Sequence, residues 1–184
     1  MTEDDEKAIE AFEAALERDP DHLKSLVNLS RVRLEAGRPD EASISIERAL
    51  ELGYTYFDSA PGYGNGRSEE MVGAALAGHR DDIVLATKVS DGQWTPEQIR
   101  ASVEASLRRL RTDVIDVIQF HGGWYPAEHV ELILNGGGLA EFQKLRDEGK
   151  VRFLGFTTEG PSAGVEQLIA TGEFDTMQVR YNLM

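Results

Sequence analysis

Phe57-Asp58-Ser59-Ala60-Pro61-Gly62-Tyr63-Gly64-Asn65-Gly66-Arg67-Ser68-Glu69-Glu70 holds a strand end, a loop and a helix start. Tyr54, Tyr56 and Phe57 are aromatic residues of the kind strands favour, and the chain then breaks into Pro, Gly and Asn. Ser68 followed by two glutamates reads as a helix start, with an N-cap oxygen and acids in the first turn. Asp58 is therefore placed at the end of a strand and Tyr63 in the loop that leaves it. In a barrel of alternating strands and helices, that is the face where chemistry sits. The three glycines do not spell G-x-G-x-x-G, so a phosphate cradle is a poor reading of this loop.

Downstream, strands and helices alternate, which predicts a parallel sheet with right-handed crossovers. A helix runs from about Ser68 to Ala77, closed by Gly78. Ile83 to Val89 is an apolar, β-branched run, as expected of a strand buried on both faces. Thr95, Pro96 and Gln98 spell an N-cap, a first-turn proline and a capping box. Ile99, Val103, Leu107 and Leu110 form that helix's inward stripe. Arg100, Arg108, Arg109 and Arg111 decorate its other faces and read as a solvated surface rather than a phosphate site. Val114 to Phe120 is the third strand, followed by His121. A short helix, a glycine triplet (Gly136 to Gly138) and a helix from Leu139 to Glu148 come next. Val151 to Thr157 is the fourth strand, Ala163 to Thr171 a helix, and Thr176 to Tyr181 begins a fifth strand.

Upstream, residues 5–52 read as helices and contain a repeat. Ala8, Phe12, Ala15 and Leu16 recur as Ala42, Ile46, Ala49 and Leu50, a shift of 34 residues. That is the period of the tetratricopeptide repeat, which the segment resembles. Leu26, Leu29, Val32 and Leu34 give the middle helix, and Gly37-Arg38-Pro39-Asp40 the turn into the last one. An ordinary helical hairpin is the plainer alternative.

Asp58, Lys88 and His121 each close a strand at the same end of consecutive βα units, separated by 30 and 33 residues. Singly each is unremarkable: a strand-end Asp caps turns, a Lys is solvated, a lone His is structural. Together with Tyr63 they resemble the aldo-keto reductases, which carry Asp, Tyr, Lys and His in this order. The surrounding words match as well: Ala86-Thr87-Lys88-Val89, Thr112-Asp113-Val114-Ile115-Asp116, Gln119-Phe120-His121 and Glu148-Gly149-Lys150-Val151-Arg152-Phe153-Leu154-Gly155. The resemblance covers residues 41–184, and the helix after Pro39 fits both families at once.

The resemblance implies an NAD(P)H-dependent oxidoreductase that reduces aldehydes or ketones to alcohols by hydride transfer. Its cofactor is NADPH (NADP+), and its substrate a small carbonyl compound. Tyr63 is then the general acid, because reduction needs a proton at oxygen as well as a hydride at carbon. Lys88 supplies the positive charge that favours phenolate, and Asp58 holds Lys88 in place. His121 orients the carbonyl oxygen by a hydrogen bond. Thr157 and Thr158 stand where the family often has Ser-Asn on the cofactor carboxamide, and Gln178 matches a glutamine with the same task. Trp124 and Tyr125 either wall the substrate pocket or pack. His22, His79 and His129 have no partners at ligand spacing, so no metal is assigned.

The fold class expected is α/β: a partial TIM (β/α) barrel with about five parallel strands, preceded by an α-helical tetratricopeptide-like segment. The domains are residues 1–52 and 53–184. A full barrel has eight strands and about 250 residues. The strands that carry the family's stacking aromatic and phosphate grip have no counterpart here, and Tyr181 belongs to the fifth strand instead. An incomplete or recombined chain is expected, such as a fragment or chimera. Apolar residues make up 41% of the chain, enough for a core. The net charge of −14 argues against nucleic acid or an anionic membrane as partner. The start is acidic without an apolar run, and no stretch approaches a membrane span, so a cytoplasmic protein is expected. The competing class is a non-catalytic interaction protein, a relic barrel whose helical segment binds a protein partner.

Overall fold

The computed structural model describes residues 3–180, and for Glu3, Leu34, Glu35, Pro39 and Asp40 the backbone alone. Tyr181 and the side chain of Leu34, both read above, lie outside the described residues. The chain divides into two compact units: residues up to Tyr56 with Glu70–Ile83, and Phe57–Glu69 with Val84 onward.

The first unit is helical. Its helices α1 (Glu3–Arg18), α2 (Leu23–Glu35) and α3 (Pro39–Glu51) follow the 34-residue pattern. Ile9, Leu29 and Val32 form a small core with Ala8, Phe12 and Leu16 packed on it, while Ala42, Ile46 and Ala49 are buried from α3. One cation ties the three helices together. Arg33 on α2 donates to Glu13 Oε1 of α1 at 2.8 Å, and to Glu41 O and Ser45 Oγ of α3 at 3.1 and 3.0 Å.

The second unit is a five-stranded parallel sheet in sequence order, half of a (β/α) barrel. Its strands are β1 (Tyr56–Asp58), β2 (Val84–Val89), β3 (Ile115–Phe120), β4 (Val151–Thr158) and β5 (Thr176–Val179). Between them in sequence run α4 (Arg67–Ala75), which belongs to the first unit from Glu70 onward, α5 (Pro96–Leu110), α6 (Ala127–Leu134), α7 (Gly138–Asp147) and α8 (Ala163–Ala170). The capping box at Thr95 forms as read, with Thr95 Oγ1 accepting from Gln98 N and Gln98 Oε1 from Thr95 N. Side-chain period two sorts the strands into two faces. Leu85, Ile118, Phe120, Leu154 and Phe156 are buried, with Phe120 stacked on Phe142 of α7 at 4.1 Å. The other face carries one register row, Lys88, Gln119, Gly155 and Thr176. One sequence expectation fails locally. The helix after the Tyr63 loop begins at Arg67, so Ser68 lies inside its first turn. Its hydroxyl accepts from Ser59 Oγ at 3.0 Å rather than capping the helix. Among the described residues, no helix is long and apolar enough to cross a membrane.

Candidate active site

The sheet brings the strand-end residues to one rim. Lys88 is 1% exposed, and its ammonium meets three acceptors: Asp58 Oδ1 at 2.8 Å, Asp58 Oδ2 at 2.7 Å and Ser59 O at 2.7 Å. An ammonium has three N–H donors, so this set saturates it. Lys88 therefore acts on its neighbours through its charge. Its nitrogen lies 5.1 Å from the centre of the Tyr63 ring, close enough for the cation to feel the aromatic face. Tyr63 in turn meets His121 edge to face, with ring centres 6.1 Å apart. Asp58, Tyr63, Lys88 and His121 are thus gathered at one place.

Three of the four line a cavity of about 210 Å³, together with Thr157, Thr158 and Gln178. His121 follows β3 directly and is fixed by its own N–H on Val89 O at 3.0 Å. Burial holds its imidazole below the ordinary histidine value of 6.5, and the Lys88 ammonium pushes the same way; Asp58 and Asp91 oppose. The ring is therefore neutral near pH 7 and carries one N–H donor and one acceptor nitrogen.

The polar wall opposite has the chemistry to take an amide. Gln178 lines the cavity, and its side chain bonds to none of the described residues, leaving both an amide donor and an acceptor available. Thr157 Oγ1 donates to Gly122 O at 2.8 Å and accepts from Gly122 N at 3.1 Å. Thr158 Oγ1 reaches Gly123 O at 2.8 Å and Gly160 O at 2.7 Å, and accepts from Gly160 N. The Thr157 proton is committed to the loop after β3, and the Thr158 proton to Gly123 O or Gly160 O, which leaves the threonines as acceptors.

Tyr125 settles as a packing residue. It is 2% exposed, stacks on Trp94 at 5.7 Å and donates its hydroxyl to Phe120 O at 2.9 Å, while Trp124 is exposed. Two arginines of α5 are ion-paired instead of solvated. Arg100 engages Glu148 and Glu141, and Arg109 engages Glu69. Glu69 is what the sequence reading missed. A glutamate in a first turn passes for a dipole partner, and its burial depends on Arg109, forty positions away.

The profile of the Aldo/keto reductase family matches residues 31–184, and a tetratricopeptide repeat profile matches residues 4–54. The chain is 33% identical over 161 residues to the uncharacterized oxidoreductase YqkF of Bacillus subtilis, covering 82% of this chain and 50% of that protein. It is 31% identical over 166 residues to an NADH-specific methylglyoxal reductase of Escherichia coli, covering 78% and 50%. Among solved structures it resembles an aldo/keto reductase from Klebsiella pneumoniae in complex with NADP and acetate. There the TM-score is 0.62 and the identity 30%, over 72% of this chain and 45% of that one. The chain spans about half the length of the curated relatives it matches.

Proposed function

The chain belongs to the aldo/keto reductase family, and on that premise we propose that it reduces aldehydes or ketones to alcohols using a nicotinamide cofactor. The observation that carries this reading is the saturated Lys88 ammonium, held on Asp58 and Ser59 beneath the Tyr63 ring at the edge of a cavity shared with His121. NADPH supplies the hydride when bound, and Gln178, Thr157 and Thr158 are the residues we assign to its carboxamide. The Gln178 amide can pair with a second amide, and each threonine oxygen can accept from an amide NH₂.

The protein's own part is proton delivery and orientation. His121, neutral, donates its N–H to the substrate carbonyl oxygen and fixes which face is presented. Tyr63 gives its proton to that oxygen as the carbon receives hydride, so the carbonyl becomes an alcohol and the tyrosine a phenolate. Lys88 stabilises the phenolate charge through space, its N–H groups being occupied, and Asp58 holds Lys88 in place. Tyr63 is 43% exposed, so water can return the proton. The NADP-bound neighbour supports NADPH and the NADH-specific relative supports NADH; we assign NADPH as the first cofactor to test. We further assign residues 1–52 to a tetratricopeptide-like segment that offers a protein-binding surface, residues 53–184 to the partial barrel, and the reaction to the cytoplasm.

The test is an NADPH titration of the full chain, following energy transfer from Trp94 and Trp124, with aldehyde turnover assayed alongside. Saturable binding and turnover are expected, and Tyr63→Phe should abolish turnover while leaving cofactor affinity within about twofold. A folded chain that binds neither NADPH nor NADH overturns the reading and leaves the non-catalytic interaction protein in its place.

A further inference from the structure

We infer that Glu69 is a positioning residue for this site: its buried carboxylate fixes the loop that carries Tyr63 to the strand that carries Lys88. The inference rests on the roles proposed for those two residues. Glu69 sits in the first turn of α4 and is 0% exposed. Its Oε1 accepts from Thr87 Oγ1 at 2.6 Å and its Oε2 from Arg109 Nε at 2.7 Å, with Arg109 Nη2 in ion-pair contact with the same oxygen at 2.6 Å. Both oxygens are thus held by donors from two other elements, β2 and α5. Thr87 is the residue immediately before Lys88 and is itself fully buried.

The loop depends on this anchor because it has little stiffness of its own. Gly64, Asn65 and Gly66 all hold positive φ, and Asn65 does so at a position that a β-branched residue could not take. The hydrogen bonds that shape it are local turns: Tyr63 N to Ala60 O, Arg67 N to Gly64 O and Ser68 N to Tyr63 O. The Ser59 to Ser68 hydroxyl contact closes the stretch on itself. Arg109 also lies across Gly66, where a Cβ would come within 2.9 Å of its Cδ. The arginine therefore reads the loop's backbone as well as its glutamate.

An ion pair so placed is a directing device more than a stabilising one. Burying a charge is unfavourable unless its hydrogen bonds are complete, and apolar replacements of buried pairs are often neutral or better for stability. What an apolar residue would not give is direction. Two charge-assisted hydrogen bonds and an ion-pair contact from fixed donors set where the loop begins its return, and with it where the Tyr63 ring lies above Lys88.

The experiment is amide hydrogen exchange on the full chain, wild type against Glu69→Gln. The Gln keeps the shape but removes the negative charge, so the Arg109 guanidinium loses its anionic partner and the Thr87 bond its charge assistance. Exchange at Tyr63, Arg67 and Ser68 should accelerate at least tenfold, with amides of β3 and β4 within twofold of wild type. In turnover assays kcat should fall at least tenfold while the cofactor Kd stays within twofold. Unchanged loop exchange overturns the inference, and so does a uniform acceleration across the sheet, which marks a purely structural pair. If Glu69→Gln does not fold, Thr87→Val removes only the tie to β2 and keeps the Arg109 pair; local loop acceleration is again expected, and its absence overturns the claim. Should the wild-type chain show no turnover, the proposed function falls while the exchange data still judge Glu69.

Discussion

His121 has to donate a hydrogen bond without carrying a charge, and its surroundings arrange this. Burial first and the Lys88 ammonium second hold its imidazole below 6.5, against the weaker pull of Asp58 and Asp91. A folded value below the unfolded one means that the unfolded chain takes up a proton first as pH falls. His121 therefore contributes no pH dependence well above pH 6.5. As pH drops from there through its own lower midpoint it destabilises the fold, and below both values the penalty is constant. Urea midpoints of wild type and His121→Gln should run parallel above pH 7 and converge over the interval below pH 6.5. Midpoints that stay parallel across that interval would remove the burial argument. Turnover should likewise keep its acid limb below pH 6.5.

What could be read at this scale was whatever ends an element. Asp58 ends β1, Lys88 is the last residue but one of β2 and His121 follows β3, so their common rim follows from spacing alone. Glu69 was out of reach because its meaning is tertiary. The same holds for Tyr125, whose φ of +47° and buried hydroxyl depend on neighbours no local pattern names.

Among the elements, β4 and β5 show how a close approach is built into sequence. Gly155 faces Thr176 in register, and a Cβ on it would lie 2.2 Å from Thr176 Oγ1 and 2.9 Å from Thr176 O. The hydroxyl could rotate away, but the carbonyl is fixed by the strand. Gly155→Ala should therefore destabilise the fold by about 1–3 kcal/mol, the usual cost of overpacking. Thr176→Ala alone should cost little, since that hydroxyl is buried with no hydrogen-bond partner. The double variant should recover only part of the loss, because the carbonyl contact remains. Urea denaturation of the four proteins checks this, and full recovery would mean the hydroxyl was the whole obstacle. The strands themselves were legible from apolar runs bounded by Gly, Pro and Asp, to within a residue or two. The start of α4 was not, because Ser68 has the chemistry of a cap and is used elsewhere.

At the scale of the whole molecule, two opposing forces act between copies of the chain. β5 is the last strand of the sheet, so one of its edges has no strand partner among the described residues, and Met177 and Val179 on it are 43% and 45% exposed. Such an edge is a template for pairing with another chain. Against it stands a net charge of −14, which keeps like molecules apart while its field reaches far enough. That reach is set by salt: about 30 Å at 0.01 M and about 3 Å at 1 M. Repulsion between whole molecules fades over that range, whereas edge pairing and apolar contact do not. Sedimentation velocity should therefore show a weight-average mass that rises with salt at a fixed, tens-of-micromolar concentration. Met177→Lys puts a charge on the edge itself and should hold the chain monomeric at both salts, while leaving the cavity untouched, because Met177 does not line it. Val179 does line the cavity, which makes it the wrong position for this test. If the mass rises with salt equally in wild type and Met177→Lys, association runs through another surface and β5 is not the contact.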